Sequence, residues 1–79
     1  MENKKKYDEI FIEVLEISPV DLNENLDSTN CDNWDSIKKL SLVDELEKTF
    51  GIQFTNEEIL NLQSYKNGVS FLKNHGIEM

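Results

Sequence analysis

The sequence has little of several things that other protein classes require. It holds one cysteine, one histidine, one proline and three glycines in 79 residues, and its basic side chains number 8 against 16 acidic ones. A lone cysteine, Cys31, excludes an internal disulfide framework, and with a lone His75 no Cys/His metal site can be assembled. Both facts fit a reduced, cytoplasmic compartment. No apolar run approaches the roughly 20 residues that span a bilayer. The basic start, Lys4-Lys5-Lys6, runs straight into Tyr7-Asp8-Glu9, where a signal peptide needs an apolar core, so neither export nor membrane insertion is expected. The net charge of -8 sets the chain against phosphate backbones and anionic lipid surfaces and toward partners with basic patches. A chain this short buries only about 60% of its unfolded surface. One domain over residues 1–79 without a large active-site cavity is expected.

The pattern that is present is helical. Tyr7, Ile10, Phe11, Val14, Leu15 and Ile17 fall on one stripe of an amphipathic first helix, which Ser18-Pro19 is expected to end. From Val20 to Trp34 there is no sustained period, many Asn, Asp and Ser residues, and only Val20, Leu22, Leu26 and Trp34 as apolar anchors. This reads as a long loop pinned across helices. Periodicity returns from Ile37 to Phe50, with Leu40, Val43, Leu46 and Phe50 on the core side and Gly51 as the stop. Thr55-Asn56-Glu57-Glu58 has the form of a capping box ahead of a short third helix with Ile59, Leu60 and Leu62. Ser64 caps a last helix whose core residues are Tyr65, Val69, Phe71 and Leu72, with Gly76 beyond its end. Gly68 inside that helix reads as a defect of about 0.5–1 kcal/mol relative to alanine. The fold class is all-α: two long helices separated by a long loop, then two short helices, as a four-helix bundle.

Most chemistries fail on the residues they require. Asp21, Asn23, Asn25 and Asp27 imitate the alternating ligands of a calcium loop, but Leu26 stands where that loop needs glycine and Asp32 where it needs glutamate. Cys31 has no local base or second thiol to make it reactive. His75, near the end of the last helix, suits the helix dipole there. No Ser/His or Cys/His set supports acyl transfer by the protein itself, and the scattered carboxylates do not form a tuned acid/base pair. The expectation is a non-enzymatic protein.

What remains is Asn33-Trp34-Asp35-Ser36-Ile37-Lys38-Lys39-Leu40-Ser41-Leu42-Val43-Asp44-Glu45-Leu46-Glu47-Lys48-Thr49-Phe50-Gly51-Ile52. Read on residue chemistry alone, Asp35 or Ser36 is a helix N-cap and the rest an amphipathic helix. The segment resembles the acyl and peptidyl carrier protein family, whose signature Asp-Ser-Leu at the start of the second helix is here Asp35-Ser36-Ile37. The resemblance extends to the first helix, the anchored loop, the closing Glu47-Lys48-Thr49-Phe50-Gly51-Ile52, the Glu57-Glu58 turn and the terminal helix from Tyr65 to Leu72. It implies the acyl carrier type of four-helix bundle. It also implies that a separate phosphopantetheinyl transferase attaches 4'-phosphopantetheine from coenzyme A to Ser36, with Asp35 beside the site as a contact for a basic residue of that enzyme. The arm then holds acyl intermediates as thioesters for fatty acid, polyketide or related biosynthesis. Aminoacyl, peptidyl and D-alanyl cargoes stay open, as does a cofactor-free acidic interaction module in which Ser36 is only a cap.

The position suits that role physically: a serine at a helix N-terminus after a mobile loop is exposed, and the helix dipole favours a phosphodiester. At about 100° per residue, Ile37, Ser41, Asp44, Glu45 and Lys48 lie opposite the core side of the second helix. The resemblance makes this face the docking surface for acyl-loading and acyl-processing enzymes with basic patches. Ile37, Asp44 and Glu45 are assigned to recognition, with Glu47 at the edge. Lys38 and Lys39 follow the modification site, and Ser41 and Lys48 stand where carriers of fatty acid synthesis usually show acidic side chains, which assigns Lys38 and Lys48 to dedicated partners. An apolar cargo is expected to seek space near Ile37, Leu46 and Ile59. The carrier itself is expected to be a monomer.

Overall fold

The computed structural model describes residues 2–79, and its elements are four α-helices. They are α1 (Glu2–Leu15), α2 (Ser36–Phe50), α3 (Asn56–Asn61) and α4 (Tyr65–Asn74). A single 3-10 turn at Pro19–Asp21 interrupts the α1–α2 connection, and the described residues contain no strand, only an isolated bridge between Asp27 and Ser64. The radius of gyration, 11.3 Å, is that of a fully collapsed chain, for which about 11.6 Å is expected at this length. None of the helices is long and apolar enough to cross a membrane.

The three longer helices all stop in the same way. In each, one residue turns left-handed and the next N–H reaches back to the last turn: Ile17 to Ile12, Ile52 to Glu47, and Ile77 to Leu72. Gly51 and Gly76 take the left-handed position in α2 and α4, with φ of 65° and 85°. In α1 that position falls to Glu16, at φ 55°. A residue with a Cβ adopts this at a cost of roughly 1–2 kcal/mol. The first helix therefore ends at Leu15, three residues before Ser18, and Pro19 opens the 3-10 turn instead of terminating the helix. The Asn33 side-chain amide donates to the carbonyl of Leu15 at 2.8 Å, which satisfies one of the carbonyls that the stop leaves free.

The core is an aromatic cluster beneath the loop. Tyr7 and Phe11 of α1, Trp34 at the end of the loop and Tyr65 of α4 are buried together. Phe11 meets both Trp34 and Tyr65 edge-on, at centroid distances of 5.6 and 5.5 Å. Such pairs contribute about 0.5–1.5 kcal/mol beyond their area. The Tyr7 hydroxyl donates to the carbonyl of Tyr65 at 2.6 Å, and the Tyr65 hydroxyl bonds Asp8. Burial pushes both phenols above their ordinary pKa; the Asp8 charge adds to this at each, with its hydrogen bond a further cause at Tyr65.

The loop is anchored at Leu26, Cys31 and Trp34, with Leu22 half-buried. Val20 is not an anchor. It is 84% exposed because the 3-10 turn points it outward. Nor is the loop loose. The Asp27 carboxylate accepts from the Thr29 and Asn30 N–H groups, and the Asn30 side chain bonds back to Asn25 and Asp27. Ser28 N–H reaches the carbonyl of Gln63, and Tyr65 N–H that of Leu26, so the loop is fastened to the α3–α4 junction.

In α2 the buried residues are Leu42, Val43 and Leu46, with Phe50 half-buried. Leu40, placed on the core side by periodicity, is 59% exposed. Phe54 fills the α2–α3 turn, where Glu47 accepts its N–H at 2.8 Å. Capping boxes begin α3 at Thr55 and Glu58 and α4 at Ser64 and Asn67.

His75 does more than face a helix end. Its Nε2 lies 2.9 Å from a carboxylate oxygen of Glu58, which joins the start of α3 to the end of α4. Burial works to raise the Glu58 pKa, but the N–H of Thr55 and the His75 ring outweigh it and hold the carboxyl below its ordinary value of 4.5. Its contribution to stability is therefore complete above that value and lost as pH falls through the lowered one. Glu58→Gln is expected to flatten the acid limb of a melting-temperature-versus-pH curve below about pH 4.5. An acid limb of unchanged slope in the variant would show that this pair is not a source of acid sensitivity.

Candidate functional site

The start of α2 divides two jobs between neighbouring residues. Asp35 is the N-cap: its carboxylate accepts the N–H of Lys38 at 2.8 Å and its carbonyl accepts that of Lys39 at 2.9 Å. Ser36 is then the first helical residue, exposed, and among the described residues none hydrogen-bonds its hydroxyl. The N–H groups of Ser36 and Ile37 stand in the first turn with no intrahelical acceptor, which makes the spot receptive to an anion. Trp34 fixes the site to the body of the protein. It is 6% exposed and packed on Phe11 two residues before Ser36. Its indole N–H is buried and meets no hydrogen-bond partner among the described residues. Leaving such a donor unpaired costs about 1–3 kcal/mol.

Two lysines follow Ser36 and part at once. Lys38 leans toward α1, its ammonium 3.8 Å from Glu16, in an exposed pair of small energetic weight. Lys39 leans toward α3, its ammonium 3.5 Å from the carbonyl of Leu60. On that side lies an open groove of about 340 Å³. Ser36, Asp35 and Lys39 form one wall, Ser28 and Gln63 supply polar groups from the loop and the α3–α4 junction, and Trp34 also borders it.

The outward face of α2 carries Ile37, 75% exposed, and Leu40 beside it. Together with Ser41, Val43 and Asp44 they border a shallow depression of about 420 Å³. Asp44, Glu45 and Lys48 are all exposed, as the helical period predicts. The structure separates them further. Asp44 borders both the Ile37–Leu40 depression and the α1 side, where it stands with Glu13, Lys38 and Glu45, whereas Glu45 borders the α1 side and not the depression. Glu47 is half-buried and its carboxylate is engaged by the N–H of Phe54, so it braces the α2–α3 turn. Ile37 and Leu46 lie apart: one is in solvent, the other fully buried, and Ile59 is half-buried. Ile37 borders the α2 depression with Leu40 and Asp44, and neither Leu46 nor Ile59 lines it.

Sequence reasoning missed Leu40 as a surface residue and Lys39 as the cation of the groove. The lysine's signal was its spacing: three residues after Ser36 places it on the same face of the helix. No protein-family model matches this chain, and no curated protein matches it significantly.

Proposed function

We propose that this protein is an acyl carrier protein, a non-enzymatic cytoplasmic module in which Ser36 carries a 4'-phosphopantetheine arm. The observation that carries this reading is the division of labour at α2. Asp35 does the capping, so Ser36 presents an unengaged hydroxyl beside two free N–H groups at a positive helix end. The resemblance of Asp35-Ser36-Ile37 and its flanks to the carrier family points the same way, and the all-helical fold with its anchored loop accords with it. The residues fit the group: an exposed hydroxyl for attachment, helix N–H groups for a phosphodiester, and a polar groove alongside. When bound, the arm supplies a terminal thiol for thioester formation. The chain's own residues position it: Trp34 pins the attachment point to the core, Asp35 fixes the helix start, and Ser36 faces solvent where a phosphopantetheinyl transferase can reach it. Without a base of its own, Ser36 depends on that enzyme for activation. Cargo is left to the loading enzyme, so acyl, aminoacyl and D-alanyl thioesters are all compatible with this site.

The test is intact mass after incubation with coenzyme A and a broad-specificity phosphopantetheinyl transferase. A gain of one phosphopantetheine is expected. An unchanged mass rejects the carrier reading in favour of a cofactor-free acidic interaction module.

The docking surface for loading and processing enzymes is the α2 face around Ile37, Leu40 and Asp44, with Lys48 further along and Lys38 and Glu45 toward α1. A net charge of -8 attracts basic partners at long range, and screening over about 8 Å at physiological salt weakens this. Association with the transferase should therefore slow as salt rises. Asp44→Lys should reduce the association rate more than Glu45→Lys, because only Asp44 borders the apolar depression. Equal effects of the two reversals, measured by stopped flow or surface plasmon resonance, would place the contact nearer α1.

A further inference from the structure

The phosphodiester expected on Ser36 introduces a charge problem that the groove resolves. Asp35 precedes Ser36 and its carboxylate remains at the helix start, so a second anion on Ser36 meets like charge at close range. Two cations lie near in sequence, and Lys38 stands on the other side of the helix, bordering the α1 face with Glu13 and Glu45 and 3.8 Å from Glu16. Lys39 is the cation that borders the groove with Ser36. It stands three residues on, where side chains of one helix face are neighbours at about 5–6 Å between Cβ atoms. Its present contact is weak. At 3.5 Å from the Leu60 carbonyl it lies beyond the ordinary hydrogen-bond range of about 2.7–3.2 Å.

The rest of the groove suits the remainder of the arm beyond its phosphate, a chain with amides and a hydroxyl. Gln63 offers both donor and acceptor, its amide nitrogen held among the described residues by a 3.4 Å contact to the Leu60 carbonyl, and Ser28 offers a hydroxyl. The backbones of these two residues are fastened by the Ser28 N–H to Gln63 carbonyl bond at 2.8 Å, so the far wall is rigid. The Ile37–Leu40 side presents mainly apolar groups and the Asp44 carboxylate, which disfavours a phosphate.

Building on the carrier reading, we propose that the groove between Ser36 and Gln63 is a resting seat for the phosphopantetheine arm, with Lys39 as the internal counter-ion of its phosphodiester. The arm is then parked toward α3, away from the Ile37–Leu40 docking face, and that face stays open to partners until one of them draws the arm out. Lys39 is a positioning residue in this arrangement.

The experiment uses fully loaded protein, verified by mass, with isotope-labelled pantetheine. In the wild type, loading should shift the backbone amide resonances of Ser28 and Gln63 more than those of Ile37 and Leu40. The arm amide nearest the phosphate should have an order parameter above about 0.6, falling below that value in Lys39→Gln and retained in Lys39→Arg. The phosphorus resonance should move on Lys39→Gln and lose its dependence on salt. A wild-type arm as mobile as that of the variant, or loading shifts centred on Ile37 and Leu40, overturns the seat while leaving the carrier reading intact. Failure to gain the arm's mass overturns both, and the mass measurement separates the two failures.

Discussion

Ser36→Ala is expected to abolish the gain of phosphopantetheine completely while leaving the fold almost untouched. On the carrier reading the hydroxyl oxygen would be the attachment atom, so its removal should leave the transferase nothing to modify. The structural cost is small because the capping bond belongs to Asp35, whose carboxylate holds the Lys38 N–H at 2.8 Å. Had Ser36 been the cap, the substitution would cost about 0.5–2 kcal/mol. As an exposed first-turn residue whose hydroxyl has no hydrogen-bond partner among the described residues, it should change stability by no more than about 0.5 kcal/mol. Intact mass and a denaturant melt on the same sample check both halves. Retained mass gain in the variant would move the attachment to another hydroxyl, and a loss of about 1 kcal/mol or more would show that Ser36 shares in the cap.

The second large effect is expected at Gly68, and its sign opposes helix propensity. Glycine within a helix is poorer than alanine by about 0.8–1.0 kcal/mol, so propensity alone predicts that Gly68→Ala stabilises α4. The packing forbids it. A Cβ at this position would lie 2.2 Å from the Tyr7 hydroxyl oxygen, with Leu62 and the rest of the Tyr7 ring end at 3.2 Å. Tyr7 is fully buried, and its hydroxyl is held at 2.6 Å by the Tyr65 carbonyl. The ring cannot withdraw without breaking that bond and opening the aromatic cluster. Overpacking costs typically about 1–3 kcal/mol, and a buried polar group deprived of its partner about 1–3 kcal/mol more. After the propensity gain, a net loss of about 3 kcal/mol is expected, equivalent to a fall in melting temperature of roughly 10–25 °C. A domain of this size has only about 4–12 kcal/mol in total. Tyr7→Phe should couple to it: with the hydroxyl gone, the added Cβ has more room, and the double variant should lose less than the two single losses combined. A Gly68→Ala protein that melts at or above wild type would fail this account.

Much of the frame was legible in the sequence. The capping box at Thr55, the cap at Ser64, Gly51 and Gly76 as stops, and the stripe from Tyr7 to Leu15 are local features, set within a turn or so of chain, and they appear where the residues put them, while Asn67 completing a second box with Ser64 is a finding of the structure. The end of α1 was misread because a proline is a strong local signal, whereas a glutamate forced left-handed is a tertiary outcome, imposed where the chain must turn under Asn33. The buried side of α2 was ambiguous for a different reason. Leu40, Leu42 and Val43 crowd three apolar residues into one turn, and more than one helical stripe can be drawn through them. Packing against α1 and the aromatic cluster selected Leu42, and left Leu40 in solvent beside Ile37.

By itself the sequence determined an acidic, all-helical domain with a serine at the start of its second long helix, because charge balance, helical period and capping chemistry act over a few residues. Only the tertiary structure decided which way Lys38 and Lys39 turn, and whether Gly68 is a flaw or a fit. Those outcomes depend on groups far apart in the chain: Glu16 beside Lys38, Leu60 and the groove receiving Lys39, and Tyr7 resting against α4 some sixty residues later. No local pattern records such distances, since what fixes them is the shared exclusion of water around one aromatic core.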